Sequence, residues 1–194
     1  MKKCIVLIWK IACGKDLVWE YFAKKYSTEK LGISSSIRII AREKWLEETR
    51  ENLIAIGKEV AKEYGDGYLA EVLIRNAKSD FLIITWPRQL WQLEYLRKNT
   101  HSVFIAIESD IDIRYIRMLS RWKIGEDITF EKFTELEEME ESSVQRVSDC
   151  MKLADICLQN NGTLEELYKK LEGLDATLSL SWILSLYQKR KGLQ

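Results

Sequence analysis

The stretch IVLIWKIACGKDLVWEYF, residues 5–22, decides how this chain is read. Its opening apolar run suits a strand buried on both faces, and a helical pattern follows over about 15–26. Gly14-Lys15 sits at the junction. Strand, Gly-Lys and helix in that order are the layout of a phosphate-binding loop. In such a loop backbone N–H groups turn inward around phosphate oxygens, the lysine adds charge, and a following hydroxyl holds magnesium. Two positions break the pattern. Trp9 stands where the leading glycine belongs, and Asp16 where Ser or Thr is expected.

Working outward, apolar runs recur between helical patterns: CIVLI (4–8), LGISSS (31–36), FLIIT (81–85), VFIAI (103–107) and LADICLQ (153–159). Helices are expected at about 15–26, 38–47, 50–63, 66–78, 88–98, 110–120, 129–146 and 163–173. Thr49 before Glu51-Asn52, and Thr163 with Glu166 three residues on, read as helix starts. Continuous apolar strands alternating with helices predict an α/β fold, a doubly wound three-layer α/β/α sandwich. No repeat or linker divides residues 1–194, so one domain is the simplest reading. The acidic stretch 131–141 reads as a solvated helix face. The last twenty residues, 174–194 approximately, fit either a helix or an alternating strand.

Composition narrows the partners. Lys+Arg and Asp+Glu are equal at 30 each, which gives no overall pull toward nucleic acid or anionic membrane. No eighteen-residue apolar stretch occurs, and CIVLI lacks a small-residue cleavage site, so a cytoplasmic protein is expected. Cys4, Cys13, Cys150 and Cys157 form no CxxC pair, and His101 is the single histidine, so no metal site is expected. Cys4 and Cys157, lying in strand-like runs, read as buried thiols. Seven tryptophans are many for 194 residues.

Several longer segments carry a family resemblance: IACGKDLVWEYFAKKY, TRENLIAIGKEVAKEYGDGYLAEVLI, RQLWQLEYLRKN, IRYIRMLSRWKIGEDITFEKF and LADICLQNNGTLEELYKKL. Over roughly residues 3–172 the chain resembles the P-loop nucleoside-monophosphate and dephospho-coenzyme A kinases, including archaeal adenylate-kinase-related proteins. The resemblance implies a five-stranded parallel sheet with a nucleotide cleft at the strands' carboxyl ends and a short lid at about 120–129. ATP would lie along residues 9–17, with its adenine near Asn160-Asn161-Gly162. Arg117 and Arg121 would close over the transferring phosphate, and Lys15 and Arg88 fall on matching positions. Such catalysis is mostly positioning and charge neutralisation, with magnesium.

The departures from this pattern concentrate on the implied cleft. Besides Trp9 and Asp16, Leu17 replaces an often hydroxylic residue, and Ile37 and Ile40 fill polar slots after the second strand. Thr85-Trp86-Pro87-Arg88 stands where an Asp-Gly-x-Arg-like turn is expected, so the acidic metal partner is missing. Trp122 lies within the lid. Trp9, Trp19, Trp86, Trp91 and Trp122 together predict an apolar cavity, each indole burying about 200 Å². Trp45 and Trp182 are expected in the core. On this reading the chain is an engineered protein, a kinase-like scaffold with phosphotransfer disabled and a pocket for a hydrophobic small molecule. It would need no cofactor. Artificial catalysis would then rest on Lys15 as amine nucleophile, Asp16 as base, or Cys13. Two alternatives stand beside it: a binding module for a partner protein, self-associating through exposed tryptophans, and a functional kinase using ATP and magnesium.

Overall fold

The computed structural model describes the backbone of residues 1–194 apart from 29, 66, 86, 88, 121–128, 142–145 and 191–194. Side chains at 30, 50, 51, 54, 58, 61, 139, 140 and 180–190 also lie outside the description. Fourteen elements follow one another among the described residues: β1 (Lys3–Trp9), α1 (Lys15–Tyr26), β2 (Lys30–Gly32), α2 (Ile33–Glu43), α3 (Arg50–Tyr64), α4 (Tyr68–Asn76) and β3 (Phe81–Thr85). They continue with α5 (Leu90–Asn99), β4 (His101–Glu108), α6 (Ile111–Leu119), α7 (Phe130–Glu140), α8 (Val147–Lys152), β5 (Ile156–Gln159) and α9 (Leu164–Arg190).

The strands form one parallel sheet in the order β2-β3-β1-β4-β5. Alternation along β1 explains why both faces are covered. Cys4, Val6 and Ile8 join a core with Ile33, Leu73, Leu93 and Phe104. Ile5 and Leu7 join the opposite core with Val18, Phe22, Leu167 and Leu171. Successive side chains of a strand point to opposite faces, so a run that is apolar throughout needs helices on both. A third, smaller core between α2, α3 and α4 holds Ile40, Ile56, Val60 and Val72. Because β1 lies between β3 and β4, the crossover direction reverses at its carboxyl end, where ligand crevices form in open α/β sheets. His101 opens β4 opposite Lys3, at the other end of the sheet.

Helix starts follow their caps. The Thr49 hydroxyl accepts from the Asn52 N–H at 3.2 Å. Thr163 and Glu166 exchange bonds, Thr163 N–H to Glu166 Oε2 at 2.8 Å and Glu166 N–H to Thr163 Oγ1 at 3.2 Å.

Several expectations change, and the helix-or-strand choice at the end of the chain is settled. LGISSS is not one strand: β2 ends at Gly32 and Ile33 opens α2. The serines start the helix, since Ser35 Oγ accepts from the Gly32 N–H at 3.4 Å and Ser36 Oγ donates to the Leu69 carbonyl at 2.7 Å. The helix expected over 129–146 corresponds to α7, which ends at Glu140, and a separate α8 begins beyond that span at Val147. Residues 174–190 are helical, continuing α9 to 27 residues, a length of about 40 Å. Cys157 is exposed on edge strand β5, whereas Cys4, Cys13 and Cys150 are buried.

Trp45, expected in the core, is 95% exposed with φ +57°. It follows α2 at a position where glycine is favoured. Trp45 N–H donates to the Arg42 carbonyl at 3.0 Å and Leu46 N–H to the Ala41 carbonyl at 2.9 Å, the paired bonds of a Schellman ending.

Candidate functional site

Beyond Trp9 the chain turns through residues 10–14 before α1 begins. Ala12 and Gly14 both lie in the left-handed region, at φ +59° and +91°. Such residues curl a loop so that neighbouring N–H groups face one side, a shape suited to anions. Gly14 caps α1 without a side-chain hydrogen bond. The positive end of the helix therefore opens toward the loop.

Gly14 has a second reason to be glycine. A Cβ there would stand 2.4 Å from Asn160 Nδ2. The buried Asn160 ties the loop to the end of β5. Its side chain donates to the Cys13 carbonyl at 2.9 Å, and its own N–H donates to the Glu108 carbonyl at 2.7 Å. The Asn160 carbonyl accepts from Ser109 Oγ at 2.8 Å and from Arg117 Nη1 at 2.9 Å. Arg117, on α6, is thereby laid across the start of the 160–163 turn. Gly14, Leu17, Arg117, Asn160, Gly162 and Leu167 line a cavity of about 320 Å³ at this closure.

Lys15 opens α1 and pairs with its neighbour, Nζ to Asp16 Oδ2 at 2.7 Å. The same ammonium lies 5.6 Å from the centroid of the Trp9 ring. That ring is half-buried and packs against the core of Ile5, Leu7 and Val18. Cys13 is buried in the same core, and desolvation pushes its thiol up to about 12, which leaves little thiolate for nucleophilic work.

A second cavity, of about 380 Å³, opens beside the start of the loop, lined by Lys10, Glu108, Ser109, Asp110, Arg114 and Lys152 among others. The buried Arg114 is its structural centre. Arg114 Nε donates to the Ser109 carbonyl at 2.8 Å, and Nη1 reaches the Ile11 carbonyl of the loop at 3.3 Å. Both terminal nitrogens bond the carboxylate of Glu137 on α7, Nη2 to Oε2 at 3.0 Å. One guanidinium thus connects the loop, the end of β4 and the helix that follows segment 121–128.

The remaining sequence-predicted residues divide. Ile40 is buried between α2 and α3, and Ile37 packs against the same core. The early start of α2 turns both toward α3 instead of into the cleft. Thr85 is buried at the end of β3, its hydroxyl 3.4 Å from the Leu31 carbonyl. Trp91 opens α5 half-buried, its Nε1 donating to Gln89 Oε1 at 3.1 Å. Trp19 packs with the core beneath α1. Trp86, Arg88, Arg121 and Trp122 lie outside the described residues, as does most of the lid expected at 120–129. Neither cavity above is lined by a tryptophan. Arg114, Glu137 and Ser109 were not singled out in the sequence. Arg114 precedes Arg117 by three residues, which puts both on one helix face. Glu137 was hidden in a run taken as solvated, yet its side chain is 14% exposed.

The chain has a P-loop kinase-like α/β fold. A shikimate kinase from Bacteroides thetaiotaomicron superposes with a TM-score of 0.55 at 11% identity, over 92% of this chain and 98% of that one. A gluconokinase from Sinorhizobium meliloti gives 0.54 at 11% identity, over 94% and 97%. In sequence the chain is similar to archaeal UPF0200 proteins. That of Sulfurisphaera tokodaii is 29% identical over 140 residues, 70% of this chain and 77% of the relative. That of Methanocaldococcus jannaschii is 25% identical over 166 residues, 83% of each. No family model matches the chain. These likenesses support a kinase-like scaffold and lend nothing to an engineered one. Neither of these two cavities supports the tryptophan-lined pocket. Among the described residues no helix is long and apolar enough to cross a membrane.

Proposed function

We propose that the chain is an ATP-dependent phosphotransferase of the nucleotide or dephospho-coenzyme A kinase type, acting in the cytoplasm on a small-molecule acceptor. The observation that carries this reading is the closure of Gly14, Asn160 and Arg117 on one another at the mouth of α1. A loop that admits only glycine beside an arginine-roofed cavity suits a nucleotide whose phosphates rest on the helix N-terminus. ATP supplies the transferable phosphoryl group and magnesium offsets its charge.

The chain's own residues fit that pair. The N-terminus of α1 and Lys15 would hold the phosphates. Arg117 with the 160–162 turn would hold the base side. Asp16, a hard oxygen donor in the first turn of α1, would hold the cation. Arg88 and Arg121 are assigned, by their positions in the sequence, to the charge on the group in transit. Arg114 sets the shape of the loop through the Ile11 carbonyl.

Transfer of radiolabelled γ-phosphate from ATP to a panel of nucleoside monophosphates, dephospho-coenzyme A and hydroxy acids tests the proposal. Label is expected on at least one acceptor, with Lys15→Ala lowering the rate by roughly 100-fold or more, since charge neutralisation dominates such steps. A panel without labelled product, and an ATP turnover indifferent to Lys15→Ala, would contradict it.

A further inference from the structure

The phosphate loop differs from its usual form in one feature of charge. Its lysine is held by a carboxylate on the very next residue, Lys15 Nζ to Asp16 Oδ2 at 2.7 Å, with the two side chains 26% and 42% exposed. In a P-loop a hydroxyl follows the lysine, and an acidic residue at the end of a neighbouring strand completes the magnesium site. Here the two functional groups have changed places. The carboxylate is at 16 and the hydroxyl at 85, at the end of β3. The Thr85 hydroxyl is buried and faces the Leu31 carbonyl. Of these two positions, only 16 offers the cation a negative charge.

From this we infer that Asp16 is a direct ligand of the magnesium ion, and that the Lys15–Asp16 pair is a latch opened only by a cation–nucleotide complex. The inference rests on the phosphotransferase reading. With the pair closed, the loop presents an ammonium already neutralised, and a metal-free triphosphate would meet the Asp16 charge at short range. A divalent cation removes both obstacles in one exchange. Asp16 turns to the metal, Lys15 turns to phosphate, and each charge leaves one opposite partner for another. A hydroxyl at 16 could not do this, because it neither holds Lys15 as an ion pair nor repels a bare triphosphate. The Trp9 ring lies 5.6 Å from the ammonium, close enough for its face to attract the cation beside the loop.

The test is calorimetric titration of the full chain with ATP, once in EDTA and once with excess Mg(II), for the wild type, Asp16→Ser and Asp16→Asn. Wild-type affinity is expected to fall roughly 100-fold or more without the cation, about the size of losing two charge-assisted contacts. In both variants the ratio should shrink to about tenfold or less, chiefly through tighter binding of metal-free ATP. With Mn(II) in place of Mg(II), the electron paramagnetic resonance line shape of the bound complex should differ between the wild type and Asp16→Asn. Equal metal dependence in wild type and variants, or identical Mn(II) spectra, would overturn the latch while leaving the phosphotransferase reading in place. Absence of nucleotide binding in every condition would overturn both.

Discussion

The two flanks of β1 are built on different principles. Toward β4 and β5 the loop is held by a buried polar network: Asn160 to Cys13, Arg117 to Asn160, and Arg114 to Ile11, Ser109 and Glu137. Toward β2 and β3 the neighbouring arm is an apolar core of Ile40, Ile56, Val60 and Val72. Its ion pairs among the described residues lie at the surface, such as Glu48 with Arg38 at 2.8 Å and Arg42 at 2.6 Å, and the buried Ser36 hydroxyl bonds a single carbonyl, that of Leu69. Buried polar networks fix geometry because each unsatisfied member is costly, whereas apolar cores tolerate repacking. The β4–β5 flank is therefore the one whose geometry is tightly specified. Departures from the kinase pattern fall on both sides: Ile37 and Ile40 in the apolar core, and Leu17 beside Asn160 and Arg117.

The sharpest way to break that contrast is to remove one partner of the buried pair. Arg114→Met strands the Glu137 carboxylate and should cost about 3–5 kcal/mol in urea unfolding. The double variant Arg114→Met/Glu137→Leu should recover most of that loss. A single variant as stable as the wild type would show that the network does not hold the flank. Ile40→Ala comes next, at about 2–4 kcal/mol, by opening a cavity in the apolar core. Its affinity for Mg-ATP should stay unchanged, and a parallel loss of affinity would mean that the two flanks are not separate. Gly14→Ala follows. Its left-handed backbone and the clash with Asn160 should cost about 1–3 kcal/mol and abolish nucleotide binding. The smallest effect has the opposite sign. Trp45→Gly should stabilise the chain by about 1 kcal/mol, since glycine occupies a left-handed helix ending without strain. Thermal melting of the two proteins reads that difference directly.

The contrast also explains what could be read from residues alone. The strand-loop-helix of 5–22 was legible because apolar continuity and Gly-Lys punctuate it unmistakably. The caps at Thr49 and Thr163 were legible because their spacing encodes a hydrogen bond. The start of α2 was not, since three serines after Gly32 serve a strand end or a helix cap equally well. That shift of a few residues moved Ile37 and Ile40 from a presumed cleft into a core. Trp9 turns on a related point. Its side-chain type was visible, but its placement depended on strand alternation, which sends it with Ile5 and Leu7 toward α1. Arg114 and Glu137 sit 23 residues apart on two helices, and no local pattern announces such a pair. Trp45 shows the limit from the other side, because nothing in its neighbourhood marks a tryptophan that ends a helix in solvent.

The central claim is that a triphosphate settles at the mouth of α1 with Trp9 in place. Hydrogen–deuterium exchange of the full chain, with and without Mg-ATP, tests it most directly. The account predicts slower exchange at residues 10–17 and at 160–164 together, with α2 and α3 unchanged. Protection at neither stretch under saturating nucleotide would contradict it.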